Sequence, residues 1–513
     1  MNSFNPESFV ATLIIIGFVI VVSALLSGLV ERSGLPQIAV FLALGAAIGP
    51  AGLGVLNISL DSAPLRVVAT LSLALVLFTD AVGLNIAEVR RHGTLALRLL
   101  GPGSLLCAAL IALAGWWLLD LPAAAAAILG AALASTDPVL LRGLLRRPDI
   151  PASARQALQL ESGLNDVVLL PILIVAMAFL NREDPLTGAG WAKLGLHMFI
   201  LGPGAGVLVG LLGVAALELV RKKLGVRRDY ESLYSLGLGF TAFAAAEMVH
   251  GSGFLAAFAA GMTIAALDVE LCDCFVEYGE ATAEMLLLFT FVLLGTSLIW
   301  SGLTAITGAT LLFTALAVLV RTPVYLASLL GSGVDARSRR LIAWFGPRGL
   351  SSLLLVLLPA FAGLPGASRL FMICSLVVLV SVVLHGGSPL LLARSARKRA
   401  LEETSGAAVP DEPLVTQPVL SAPAADNSEI APRAAVPPGD VKEIGRQRIS
   451  IDELRRLWQA KEPVTILDVR TERSLEGSDL QARGAIRMPP DHVADQVRNL
   501  GLNRKDWLVA YCA

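Results

Sequence analysis

The sequence predicts an all-α polytopic membrane protein followed by a small partial α/β domain. Hydrophobic residues make up 55% of the 513 residues and charged residues only 16%, and the mean hydropathy is +0.72. Soluble domains of this length carry more charge. Apolar stretches recur from Val10 to Leu392, each close to the ~20 residues that a helix needs to cross a bilayer. After Arg399 the pattern stops, and a polar segment begins.

The apolar stretches predict thirteen transmembrane helices. Their approximate bounds are 10–29, 36–56, 65–84, 95–119, 122–145, 157–180, 192–220, 231–249, 253–270, 284–300, 303–330, 339–362 and 367–393. The N-terminus has no basic segment or cleavage site typical of a signal peptide, so the first stretch is expected to be a retained helix. An odd number of helices places the two termini on opposite sides of the membrane.

The distribution of Lys and Arg predicts the orientation, because these residues are enriched in cytoplasmic loops. With the N-terminus outside, the outer loops hold little more than Arg66, Arg182, Lys193 and Arg369. The inner loops then hold Arg32 and the basic groups at 90–98, 142–155, 221–228, 337–340 and 394–399. We therefore expect a multi-pass protein of the cell (inner) membrane with a cytoplasmic C-terminal tail. One inner loop, 268–284, is acidic. Two interpretations stay open: the acidic groups act as a funnel that raises the local cation concentration, or they belong to an ordinary solvated helix.

Composition divides the chain into three predicted parts. Residues 1–399 form the membrane domain, and residues 400–447, rich in Pro and Ala, are predicted to be a disordered linker. Residues 448–513 contain two apolar runs typical of buried strands, 464–469 and 507–511.

Two carboxylates lie within predicted membrane helices, Asp137 before Pro138 and Asp166 in the following helix. A charge at mid-bilayer costs on the order of 3 kcal/mol or more, so such residues are usually functional. Pro138 disfavours helix at Asp137, and an interrupted helix is a common way to build an ion site. Ser162 and Asp166 are four residues apart and share a helix face. These residues predict a shared cation or proton site.

Two arginines also lie in apolar surroundings, Arg321 and Arg348. Either one is able to neutralise Glu161, which lies four residues before Asn165. Pro347 and the glycines beside Arg348 predict a second broken helix. Broken helices in both halves of a span set indicate an inverted repeat with its site at the midplane.

Together these segments resemble the monovalent cation/proton antiporter family, and within it the electroneutral NhaP-like transporters and sodium/proton exchangers. The resemblance covers roughly residues 10–393. It implies that Asp166 binds the ion and the proton. It also implies further ligands in Asp137, Ser162 and Thr136, the last through its backbone carbonyl.

The resemblance further implies that Glu161 and Arg321 form a structural ion pair beside Asn165, and that Arg348 belongs to the second crossing helix. Electrogenic relatives have an aspartate at the position of Asn165, so the resemblance implies one-for-one exchange. It also implies a homodimer, because the family is typically dimeric. The expected cation is Na⁺, with Li⁺ and K⁺ as alternatives. No cofactor and no nucleic-acid partner are expected. Because a proton and a cation would compete for Asp166, the empty charged site would be disfavoured, which couples the two fluxes.

The tail resembles a rhodanese-like domain in Asp468-Val469-Arg470, in 483–489 and in Val509-Ala510-Tyr511-Cys512. Cys512 matches the cysteine that carries the persulfide in that family. The anion-cradling loop that follows this cysteine is absent from the sequence, so we expect a truncated or degenerate regulatory tail without sulfurtransferase activity. Two alternatives to antiport are a membrane sensor acting through this tail and a sulfur-compound transporter. The paired aspartates disfavour the latter because they would repel an anion.

Overall fold

The structure is a computed structural model that describes residues 37–84, 86–137, 150–181, 187–223, 228–267 and 273–385 and, in the tail, 463–469, 484–487 and 507–511, with single positions elsewhere. It separates into two units, Met1–Pro410 and Asp411–Ala513. Except for single positions, the first predicted span lies outside the described residues, and so do the predicted linker and Cys512.

The first unit is helical throughout its described part. In chain order its helices are α1 Gln37–Ile48, α2 Ala63–Val82, α3 Ile86–Arg91, α4 Gly93–Leu118, α5 Ala123–Ala134, α6 Ala152–Leu180, α7 Gly188–Leu196, α8 Gly202–Lys223, α9 Arg228–Met248, α10 Gly253–Ala266, α11 Asp273–Thr296, α12 Ser301–Thr304, α13 Gly308–Leu319, α14 Arg321–Ser328, α15 Ala336–Trp344, α16 Leu350–Phe361 and α17 Ala367–His385. Two π-helical turns interrupt this pattern, Leu99–Leu105 inside α4 and His197–Leu201 between α7 and α8.

Helices occupy the positions of the twelve predicted spans that fall on described residues. Six are long and apolar enough to cross a membrane by length and composition, and six further apolar helices are shorter. The shorter group includes α5 and α16. These two are short because the chain is not helical throughout the predicted span: α5 ends before Ser135, and α16 begins only at Leu350.

Small residues let the helices approach closely. Eight of the twelve residues of α5 are alanine, which combines high helix propensity with a small side chain, and the helix is buried along most of its length. Between α1 and α11, a methyl group at Gly45 would overlap the carbonyl oxygen of Val292. One at Gly295 would lie 2.6 Å from the carbonyl oxygen of Leu42. Backbone contact of this kind leaves no room for any side chain.

The tail unit contains a three-stranded parallel sheet in the order β2-β1-β3. Strand β1 is Val464–Asp468, β2 is Ile486–Arg487 and β3 is Trp507–Tyr511. Both predicted strands are therefore present, and their parallel pairing is typical of an α/β domain. Arg487 Nη1 lies 3.6 Å from Asp468 Oδ1 and links β2 to the end of β1.

The close packing of α1 on α11 predicts that Gly45→Ala destabilises the membrane unit by about 1–3 kcal/mol, because the added methyl group forces the helices apart. The measurement is thermal unfolding of the detergent-solubilised protein. Gly237→Ala is the matched control, since nothing lies within 4 Å of a methyl group at that position in α9. Equal melting temperatures for the two variants would contradict the packing argument.

Candidate functional site

Two non-helical segments meet in the interior of the membrane unit. Helix α5 ends at Ala134, and the backbone is extended at Ser135. Residues 345–349 separate α15 from α16. The segments touch through their main chains, because the amide of Asp137 donates to the carbonyl of Pro347 at 3.0 Å. Prolines near both breaks explain their positions, since proline removes a backbone donor and disfavours helix at the preceding residue.

Each break supplies a charged side chain to the helix end of the other. Arg348 Nη1 donates to the carbonyls of Ala134 at 2.9 Å and Ser135 at 3.3 Å, at the C-terminal end of α5. In return, Asp137 Oδ2 accepts from the amide of Leu350 at 2.7 Å, at the N-terminus of α16. Both charges have the sign that a helix end favours. The guanidinium of Arg348, which the sequence offered as one possible partner of Glu161, lies on the carbonyls of the first break instead.

Asp166 lies beside the first break, on α6, and is 3% exposed. Ser135 Oγ donates to its Oδ1 at 2.5 Å. The hydroxyl of Ser351, in the first turn of α16, is a second hydrogen-bonding neighbour of Asp166. The acidic neighbours of Asp166 are Asp137 and Glu161. Asp137 and Asp166, predicted to share a site, are therefore neighbours, and hydroxyl groups from the first break and from the start of α16 lie beside them. Such a set of oxygen atoms suits a hard cation.

Glu161 is fully buried and forms a bidentate ion pair with Arg321. The two contacts, Nη1 to Oε1 and Nη2 to Oε2, are both 2.6 Å. Arg321 also donates to the carbonyls of Ile342 at 3.0 Å and Phe345 at 3.3 Å, at the end of α15. Of the two arginines that the sequence offered, Arg321 is the partner of Glu161.

Two further hydroxyl groups hold the Glu161 carboxylate. Thr136 Oγ1 donates to Oε1 at 2.7 Å and the Tyr325 hydroxyl donates at 2.8 Å. The Tyr325 ring also lies 3.9 Å from Arg321 Cζ, a cation–π contact, and its hydroxyl is 3.0 Å from Ser104 Oγ. Ser104 belongs to the π-helical turn of α4.

Two predicted site residues, Ser162 and Asn165, form no hydrogen bond with another site residue in the described part of the chain. Ser162 Oγ donates to the carbonyl of Gln159 in its own helix, at 3.3 Å. Asn165 is fully buried, and neither of its side-chain polar atoms has a hydrogen-bond partner among the described residues. Glu247, near the end of α9, accepts from the amide of Gly253 at the start of α10. Within the described part of the chain, no group of three His, Cys, Asp or Glu residues is arranged to hold a metal ion.

Residues 19–392 match the family model described as "Sodium/hydrogen exchanger, transmembrane". The chain belongs to the sodium/hydrogen exchanger family. It is therefore a multi-pass membrane protein of a transporter family, not an enzyme. The match begins within the first predicted span and ends at the last one, so it includes every site residue described above.

Several members of the exchanger family align with most of the membrane unit. The K⁺/H⁺ antiporter NhaP2 of Shewanella sp. (strain MR-4) is 29% identical over 381 residues, 73% of this chain and 65% of that protein. The K⁺/H⁺ antiporter NhaP of Alkalimonas amylolytica is 24% identical over 420 residues, 81% of this chain and 71% of that protein. The Na⁺/H⁺ antiporter NhaH of Halobacillus dabanensis is 27% identical over 298 residues, 55% and 72% of the two chains. The chain thus spans just under two thirds of the first of these relatives.

A solved exchanger structure has the same fold. The sodium/proton antiporter MjNhaP1 of Methanocaldococcus jannaschii superposes with a TM-score of 0.61 at 21% sequence identity. The superposition covers 75% of this chain and 98% of that chain. The helical architecture described above is therefore NhaP1-like.

The buried ion pair predicts that Glu161→Gln destabilises the protein by about 3–5 kcal/mol, because Arg321 would be left as an unpaired buried charge. Thermal unfolding in detergent measures the effect. Tyr325→Phe is the control: it removes one donor to Glu161 but keeps the pair, so the expected cost is only about 1–2 kcal/mol. A Glu161→Gln protein as stable as the wild type would contradict the electrostatic account of this cluster.

Proposed function

We propose that the chain exchanges a monovalent cation for a proton across the membrane, by alternating access to a site at Asp137 and Asp166. The observation that carries the proposal is the position of Asp166. It is a buried carboxylate placed against the crossing of two helix breaks, with Ser135 and Ser351 as hydroxyl neighbours and Asp137 as an acidic one. The names of several relatives support the same activity.

The proposed coupling follows from burial. An unneutralised carboxylate in a low-dielectric interior is costly, so Asp166 is occupied by either a proton or a cation whenever the site changes sides. Binding of one requires loss of the other, which links the two fluxes. Throughout the exchange cycle Glu161 and Arg321 neutralise each other, and Arg348 keeps its hydrogen bonds to the carbonyls of the first break. These contacts hold the two breaks in position.

The proposed ligands are Asp137, Asp166, Thr136 and Ser162, with Asn165, Glu161, Arg321 and Arg348 in supporting roles. Since the Thr136 hydroxyl donates to Glu161, its backbone carbonyl is the group we assign to the cation. Ser162 takes part only after its hydroxyl turns away from the carbonyl of Gln159. Asn165 adds no charge beside Asp166, which supports electroneutral one-for-one exchange.

The cation and the arrangement in the membrane complete the proposal. Na⁺ is the first cation that the sequence suggests, and relatives named as K⁺/H⁺ antiporters make K⁺ an equal candidate, with Li⁺ as a third. We propose thirteen spans with inverted repeats, an outside N-terminus, a cytoplasmic tail and a homodimer in the cell membrane. For the tail we propose a rhodanese-like domain, supported by its parallel sheet.

The test is exchange in everted vesicles from cells that lack their own antiporters, with a fluorescent probe of the pH gradient. Addition of Na⁺, K⁺ or Li⁺ to wild-type vesicles is expected to dissipate the gradient, and Asp166→Asn is expected to abolish the response. Asp120→Asn is the matched control. Asp120 is exposed and has a positive φ of 48°, a conformation that asparagine tolerates equally well.

Loss of exchange in Asp166→Asn but not in Asp120→Asn supports Asp166 as the exchanging group. The sizes of the wild-type responses to the three cations rank them as substrates. A wild-type protein that is inserted in the vesicles but gives no response to any of the three cations between pH 6 and 9 would exclude antiport. Retained exchange in Asp166→Asn would exclude Asp166 as the exchanging group.

The folded sheet in the tail unit favours one alternative, a membrane sensor that acts through its tail. The antiport proposal predicts that a protein shortened to residues 1–399 keeps cation-dependent dissipation of the pH gradient, because every site residue lies before residue 399. The same vesicle measurement decides between them. Loss of exchange in a correctly inserted shortened protein would give the tail a direct role in transport.

A further inference from the structure

Helix α17 presents two polar side chains to the second helix break. Ser381 and His385 are four residues apart, so they lie on one face of an otherwise apolar helix, and they are 0% and 5% exposed. Cys374, two turns earlier, places its sulfur 3.6 Å from the carbonyl of Ser352 in the first turn of α16. This face of α17 therefore packs along the break and the helix start that follows it.

A continuous set of hydrogen bonds crosses the break. The amide of Arg348 donates to Ser381 Oγ at 2.7 Å, and Ser381 Oγ lies 3.1 Å from His385 Nδ1. The imidazole is 5.5 Å from the Trp344 ring, centroid to centroid, and also faces the Trp344 backbone. Because Ser381 Oγ accepts from Arg348, its own proton is available to Nδ1. A neutral imidazole with its proton on Nε2 accepts this hydroxyl proton at Nδ1, which also lies 3.3 Å from the carbonyl oxygen of Ser381.

These contacts join the last residue of α15, Trp344, to a residue just before α16, Arg348. Two residues further on, the amide of Leu350 holds the Asp137 carboxylate at 2.7 Å. The position of that amide depends on the backbone at 348–349, which Ser381 ties to α17. Displacement of this segment would also carry the Arg348 guanidinium away from the carbonyls at the end of α5.

We propose that Ser381 and His385 are positioning residues for the cation site: they hold the 345–349 break so that the Leu350 amide and the Arg348 guanidinium meet their partners on the first break. The proposal rests on the proposed antiport function, and it concerns two residues of α17 that belong to none of the motifs named above. A merely structural role would instead confine the effect of these side chains to stability.

Helix α17 offers a matched control for Ser381. Ser375 is fully buried on the same helix, and its hydroxyl has no hydrogen-bond partner among the described residues. Ser375→Ala and Ser381→Ala therefore remove the same atom from the same helix, but only the second removes a contact with the break. Ser381→Thr keeps the hydroxyl.

Hydrogen exchange followed by mass spectrometry tests the contact itself in the full-length protein. Ser381→Ala is expected to speed amide exchange in the peptide covering 345–351 about five- to tenfold, because the Arg348 amide loses its buried acceptor. His385→Ala is also expected to speed amide exchange in this peptide. Ser375→Ala and Ser381→Thr are expected to leave it unchanged. Unaltered exchange in Ser381→Ala would overturn the proposal, whatever the transport data show.

Vesicle transport tests the consequence for the site. Ser381→Ala and His385→Ala are each expected to raise the cation concentration for half-maximal response about three- to tenfold, with most of the maximal rate retained. Since both act through one set of hydrogen bonds, the double variant should be no worse than the stronger single one. Ser381→Thr should restore the wild-type value.

The outcomes separate the two proposals. Faster amide exchange in Ser381→Ala with unchanged half-saturation would reduce Ser381 and His385 to structural residues and overturn their positioning role. If the wild-type protein gives no response to any cation, antiport is excluded, and so is a role of Ser381 and His385 in positioning a cation site. The hydrogen-exchange result would then describe only the fold.

Discussion

The reciprocal contact between the two helix breaks is the constraint on which the rest of the membrane unit depends. Inside a bilayer no water satisfies the carbonyls at a broken helix end or the amides at a helix start, so the protein must do so itself. Here Arg348 from one break covers the carbonyls of Ala134 and Ser135, and Asp137 from the other covers the amide of Leu350. Each break is therefore stable only in the presence of the other. Neither segment is able to move far without leaving buried polar groups unsatisfied.

The Glu161–Arg321 pair extends this constraint to three further helices. Arg321, at the start of α14, donates to Glu161 on α6 and also to carbonyls at the end of α15. Thr136 of the first break donates to the same carboxylate. A buried ion pair is often worth little net stability because its desolvation offsets the attraction. Its contribution here is geometric, since a bidentate pair with fixed hydrogen bonds on both sides allows one arrangement of α6, α14 and the breaks.

The sequence allowed prediction of the spans, the two breaks and the charged residues, because these depend on strong local signals. Twenty-residue apolar runs, prolines beside buried acids and intramembrane charges are rare enough to be informative. The hydroxyl partners were not predictable: Ser135, Ser351, Tyr325 and Ser381 are ordinary residues of a membrane helix, and each gains its role from a neighbour far away in the chain. The one available signal was spacing, since Tyr325 lies four residues after Arg321. Spacing also has limits, as Ser162 shares a face with Asp166 but bonds to its own helix.

The two central aspartates differ in what holds them, and the difference bears on how the proposed site would accept both a proton and a cation. Asp137 accepts from a main-chain amide at a helix N-terminus, a donor that cannot reverse its role. Its carboxylate is therefore part of the scaffold as well as a proposed ligand. Asp166 is held by the hydroxyl of Ser135, and a hydroxyl is able to rotate between donating and accepting. When Asp166 is protonated, the hydroxyl accepts; when a cation is bound, the hydroxyl donates or offers its oxygen to the ion. The proposed exchange at Asp166 thus requires only the rotation of a few side-chain protons, while the backbone crossing that surrounds it keeps its hydrogen bonds.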